Sequence, residues 1–137
     1  MSTLQRAVGT FTVQMNPQGA PPAAPKGTTP LARLSLDKVF SGDMAGTSTG
    51  EMLTAVTPTT GSAGYVALER FTGTVHGSAG GLVLQHGGTM SRVGGRQLAI
   101  GIVPDSGSGE LQGIGGRFLL KIEDGQHRYV LEYTLAA

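Results

Sequence analysis

The sequence predicts an all-β, single-domain antiparallel β-barrel of about eight strands, and three observations carry that reading. Apolar and polar residues alternate with period two along most of the chain, and no stretch long enough for a helix carries a 3.6-period apolar stripe. The 23 glycines, 39% hydrophobic residues and only 14% charged residues suit many short strands joined by tight turns. Two segments, Gly81–Leu84 and Tyr129–Leu135, are apolar on both faces, so both faces need cover. Closing the sheet on itself removes its edges, and self-association supplies further cover.

The first strand is read from Ala7, Gly9, Phe11, Val13 and Met15, which alternate with Thr10, Thr12 and Gln14. Five of the seven prolines follow between Pro17 and Pro30. Proline cannot donate to a ladder, so residues 16–30 form a Pro-rich loop, either a surface insertion or a lid over a cavity mouth. The next strand alternates Ala32, Leu34, Leu36, Lys38 and Phe40 with Arg33, Ser35 and Asp37. Further strands are expected near 44–56, 64–75, 81–90, 96–104, 109–113, 116–124 and 127–135. Gly94-Gly95, Asp105-Ser106-Gly107 and Asp124-Gly125 supply the turns. One domain spanning 1–137 accommodates all of these and is long enough for its own core.

Composition narrows the function. The net charge is +1, and the seven arginines and three lysines are scattered with no two adjacent. Nucleic acid is therefore not expected as a partner. The chain has no cysteine, which removes disulfides and thiolate chemistry and suits a reducing compartment. Residues 1–8 lack the apolar core of a secretory signal, and no run approaches the length of a membrane helix. A cytoplasmic location, with no membrane partner, is the expectation.

Three sequence features bear on catalytic or metal chemistry. Gly46-Thr47-Ser48-Thr49-Gly50 matches the nucleophile-elbow spacing, but strand-like Glu51–Val56 follows it where the elbow needs a helix. The glycine-dense 107–116 stretch lacks the Lys-Ser/Thr ending of a phosphate loop, and Glu110 would repel phosphate. His76, His86 and His127 sit in separate segments without metal-ligand spacing, so neither a metal nor a cofactor is expected. His76 reads as a solvated turn residue and His127 as close to the surface. His86, after Leu82-Val83-Leu84, is the inward histidine, as a satisfied core residue or as a functional one.

The hairpin Gly64–His86 is the most informative segment, because Glu69, Arg70, Gln85 and His86 interrupt two otherwise apolar strands. A four-residue turn at 76–79 opposes Glu69 to His86, Arg70 to Gln85 and Phe71 to Leu84. Glu69, Phe71, Leu84, His86 and Tyr65 then share one face. A five-residue turn opposes Arg70 to His86 instead, so the pairing depends on register. A Glu–His pair inside an apolar barrel is a candidate acid/base couple, with Glu69 as base and His86 as acid. Glu51 joins the pair if Ala55 opposes Tyr65. Catalytic candidates are thus Glu69, His86 and Glu51. Ligand-binding candidates are Tyr65, Arg70, Phe71, Gln85 and Glu110, the last because Ser106–Leu111 echoes Thr47–Met52.

The combination of GEML at 50–53, GYVALERFTGT at 64–74, VLQH at 83–86 and SGSGELQGIGG at 106–116 resembles the bacterial family known as domain of unknown function 3224. The likeness spans nearly the whole chain apart from the proline segment. That family is similar to the allene-oxide-cyclase-like barrels, which implies an eight-stranded closed barrel around an apolar cavity. Members of that barrel class guide the cyclisation of reactive lipophilic molecules; no catalytic residue carries over. Ser78 stands where the family pattern leads one to expect a basic residue.

The function expected is the binding of a small lipophilic molecule in a cavity with a few polar anchors. A cofactor-independent isomerase, cyclase or lyase and a structural oligomer with a filled core are the alternatives. The apolar outer face of the last strand predicts a homo-oligomer, a dimer first.

Overall fold

The computed structural model describes residues 3–19 and 23–136. Nine strands are present among them: β1 (Gln5–Pro17), β2 (Leu31–Gly42), β3 (Met44–Val56), β4 (Ala63–Val75), β5 (Ser78–Met90), β6 (Arg96–Ile102), β7 (Ser108–Gly109), β8 (Gly115–Glu123) and β9 (Gln126–Thr134). All pairings are antiparallel, in the order β4-β3-β2-β1-β9-β8-β6-β5, and β4 pairs with β5 to close an eight-stranded barrel. β7 is a two-residue addition to β5. Among the described residues there is no helix, and so none long and apolar enough to cross a membrane.

Alternation sends one set of side chains inward from every strand. The inward set on β1 includes Ala7 and Phe11, on β2 Leu36 and Phe40, on β4 Phe71 and Val75, and on β9 Tyr129, Leu131 and Tyr133, all buried. The core is concentrated at one end. There Phe40 meets Phe71 edge-on at 5.3 Å, and Phe118 stacks on Tyr129 at 5.5 Å. The Tyr129 hydroxyl accepts the Met44 N–H at 2.8 Å and donates to the Ser41 carbonyl at 3.0 Å, fixing the β2–β3 turn.

The segment 103–114 plugs that closed end. The sequence pattern predicts a strand over 109–113, but only Ser108–Gly109 is extended. Successive turns follow, with Leu111 N–H bonded to Ser108, Gln112 N–H to Gly109 and Ile114 N–H to Leu111. The turns win because they swing Leu111 and Ile114 into the barrel, where both are fully buried. The Pro-rich loop connects β1 to β2 at the opposite end, although Ala20–Pro22 lie outside the described residues.

The β4–β5 turn also differs from expectation. It has two residues, His76 and Gly77, both at positive φ (47° and 82°), which is the twist a tight hairpin prefers. Val75 therefore opposes Ser78, and the register moves two residues from the one expected with a four-residue turn.

Candidate functional site

A shift of two residues leaves every side chain on its original face, so the inward set Glu69, Phe71, Leu84 and His86 survives the register change. Glu69 now opposes Leu84, and Ala67 opposes His86. The two polar residues become diagonal neighbours, and the Nε2 of His86 lies 2.6 Å from the Oε1 of Glu69. Two residues that the sequence reading did not assign to the site complete the cluster. Lys38 on β2 donates to Glu69 Oε1 at 2.9 Å, and Ser48 on β3 donates to Oε2 at 2.5 Å.

All four side chains are buried, Glu69 to 1% exposure. Gly50 makes this possible. It lies directly opposite Glu69, and a Cβ there would fall 2.2 Å from the Leu68 carbonyl oxygen and 2.6 Å from the Glu69 Cα. The Lys38 ammonium also sits 4.7 Å from the centroid of the Phe11 ring, a cation–π contact.

Burial on its own would push the Glu69 carboxyl up. The His86 hydrogen bond, the charge and hydrogen bond of Lys38 and the Ser48 hydroxyl outweigh it and lower its pKa to about 2. Glu69 is therefore ionised and accepts only, so His86 Nε2 must carry the proton between them. In its neutral form the imidazole then holds its lone pair on Nδ1. No wholly buried polar side-chain atom lacks a partner among the described residues, and Nδ1 has none there, so it opens onto the cavity that His86 lines. Of the pair read from sequence as base and acid, Glu69 has both oxygens engaged and no side-chain exposure, whereas His86 lines the cavity.

The cavity, of about 620 Å³, lies above the cluster at the end of the barrel bearing the β1–β2, β3–β4, β5–β6 and β8–β9 loops. Its wall is mostly apolar, with Tyr65 beside His86 at 6.3 Å between ring centroids. Burial, then the Glu69 charge, pushes the Tyr65 hydroxyl up, so it stays a neutral donor. At the lip, inward-facing Met15, Leu98 and Ile122 remain 50%, 43% and 60% exposed.

Several expected site residues lie elsewhere. Glu51 is on the outer face, paired to Arg33 at 3.3 Å, because Thr54 rather than Ala55 opposes Tyr65. That slip of one residue reverses its face. Arg70 and Gln85 are exposed on the outside, since they alternate with inward Glu69 and His86. Phe71 is inside but fully buried in the aromatic floor, below the cavity. Glu110 is exposed at the closed end, where its Oε1 accepts the Ala79 N–H at 2.8 Å and ties the plug to β5. His127, expected near the surface, faces inward, lines the cavity and lies 5.1 Å from the Phe11 ring. His76 is an exposed turn residue as read, bonded through Nδ1 to the Tyr133 hydroxyl at 2.5 Å. A signal for Lys38 was present in the sequence: it occupies the apolar register of Leu34, Leu36 and Phe40, where a lone cation demands a buried partner.

Residues 7–133 match the family described as Protein of unknown function (DUF3224). The fold is also similar to the 1.84 Å crystal structure of a protein with unknown function from the DUF3224 family of Shewanella oneidensis MR-1. The two share 40% identity and a TM-score of 0.90 over 98% of this chain and 100% of that one. No curated protein matches the chain.

Proposed function

The chain belongs to the DUF3224 family, and from that premise we propose that it is a β-barrel that binds a small lipophilic molecule in the cavity above Glu69. The observation that carries this reading is the apolar lip. Met15, Leu98 and Ile122 point inward yet are half-exposed, and a ligand is what removes such surface from water. The alternative of a filled core accords poorly with an opening of about 620 Å³. Binding of 1-decanol by calorimetry tests the proposal, with Met52→Trp as the variant that occupies the cavity. Micromolar binding lost in Met52→Trp is expected; equal heats for both proteins would end the reading.

A second reading, a cofactor-independent isomerase, cyclase or lyase, is favoured by one feature of the cluster. His86 presents Nδ1 to the ligand space while Glu69 holds Nε2–H from behind, the arrangement that supports an imidazole taking up a proton. A pH–rate profile on any compound turned over, abolished in His86→Gln while binding persists, is the expected outcome for an enzyme. The proposal keeps a cytoplasmic setting, in line with the absence of cysteine. It also keeps self-association, supported by the outer apolar row Val8–Val130–Leu119 across β1, β9 and β8, whose flanking members Val8 and Leu119 are exposed.

A further inference from the structure

Among the described residues the charged groups of the cavity wall are Lys38 and Arg96, accompanied by His86 and His127, and none of them is a carboxylate. Lys38 is already satisfied by Glu69 at 2.9 Å. Arg96 is different. It continues the inward column Ile102, Ile100, Leu98 of β6 as its outermost member, at the lip. Its only side-chain contact among the described hydrogen bonds is to the Met90 sulfur at 4.0 Å, and no described carboxylate lies within salt-bridge distance. Glu123, at the same end, is held by Lys121 and Arg128.

An arginine in the final inward position of an otherwise apolar column gives the cavity two poles. Ile100 opposes His86, and Arg96 is four residues further along the strand, so the poles stand about 13 Å apart. Leu98 and Leu120 wall the space between them. We infer that the ligand is an amphiphile with an anionic head group, received by Arg96 at the lip, whose apolar body runs down to His86.

This inference rests on the cavity-binding reading above and names the class of ligand. The guanidinium fork suits carboxylate and phosphate alike, so both head groups enter the test. Calorimetry at low salt compares decanoate, decyl phosphate, 1-decanol and decylamine on the full chain, on Arg96→Gln and on Arg70→Gln. Arg70→Gln removes an outward arginine as a control for general charge attraction. At least one anion is expected to bind about threefold to fivefold tighter than decanol, the range for a half-exposed ion pair, and to lose that margin as salt rises. The preference is expected to vanish in Arg96→Gln and to persist in Arg70→Gln. The tighter of the two anions identifies the head group. Equal binding of decanol and both anions, a preference for decylamine, or an anion preference that survives Arg96→Gln would each overturn the inference and leave the cavity reading standing. Failure of all four compounds to bind would overturn both.

Discussion

Glu69 is a carboxylate whose ionised form is held entirely by its neighbours, and its removal should be felt as a charge left unbalanced. In Glu69→Gln the Lys38 ammonium stays buried without its counter-ion, an arrangement that costs about 3–5 kcal/mol. Urea unfolding should show that loss, and adding Lys38→Met to the same chain should recover part of it, since removing both charges is cheaper than stranding one. If the double variant were less stable than Glu69→Gln, the pair would not be coupled as drawn. The same residue sets an acid limit. Its folded pKa is depressed to about 2, so its contribution is complete above the ordinary glutamate value, about 4.3, and disappears as pH falls from there towards 2. The difference amounts to about 3 kcal/mol. Acid titration of stability should therefore be much flatter in Glu69→Gln, and a curve identical to wild type would contradict the assignment.

Among the strands, β3 contributes through what it leaves out. Gly50 gives Glu69 the space to lie flat against the sheet, and a Cβ there meets Leu68 and Glu69 backbone rather than any movable side-chain tip. Gly50→Ala should accordingly destabilise by about 1–3 kcal/mol through overpacking, with the Tyr65 and His86 ring resonances displaced in proton NMR. A neutral effect would mean the β3–β4 ladder yields more easily than its backbone contacts imply. The turns act at the same scale. His76-Gly77 determines that Glu69 and His86 meet diagonally rather than face to face, and the β3–β4 register sends Glu51 outward.

For the whole molecule, barrel closure divides one interior into two halves with different tasks. The plug residues Leu111 and Ile114 fill one end, and four strand-connecting loops ring an open one. The outside is less polar than a solvated sheet needs to be, with Val8 half-exposed and Leu119 40% exposed on either side of Val130. A second copy of the chain meeting this row would cover it, and a two-fold pair is the simplest closed arrangement. Light scattering at micromolar concentration should return the dimer mass, and Val8→Lys should return the monomer mass. A wild-type monomer would remove self-association from the proposal.

The closed all-β class and the strand positions outside 109–113 were legible in the sequence, because period-two alternation and glycine punctuation are local signals that burial enforces along each long strand. The shared inward face of Glu69 and His86 was legible only for a turn of even length, since face depends on the parity of the register, and the two-residue turn keeps that parity. The partners were not. Lys38 and Ser48 come from strands 31 and 21 residues away from Glu69, and no local pattern reports which strands curl together. Glu51 shows the limit most directly. A single-residue offset between β3 and β4, fixed by contacts along the entire ladder, separates a cavity carboxylate from one in water. The alternation that puts Glu69 and His86 on one face is thus written in the chain, whereas the side on which Glu51 and His127 fall, which atoms touch, and that His86 rather than Glu69 lines the cavity, were decided by strand register and closure of the barrel.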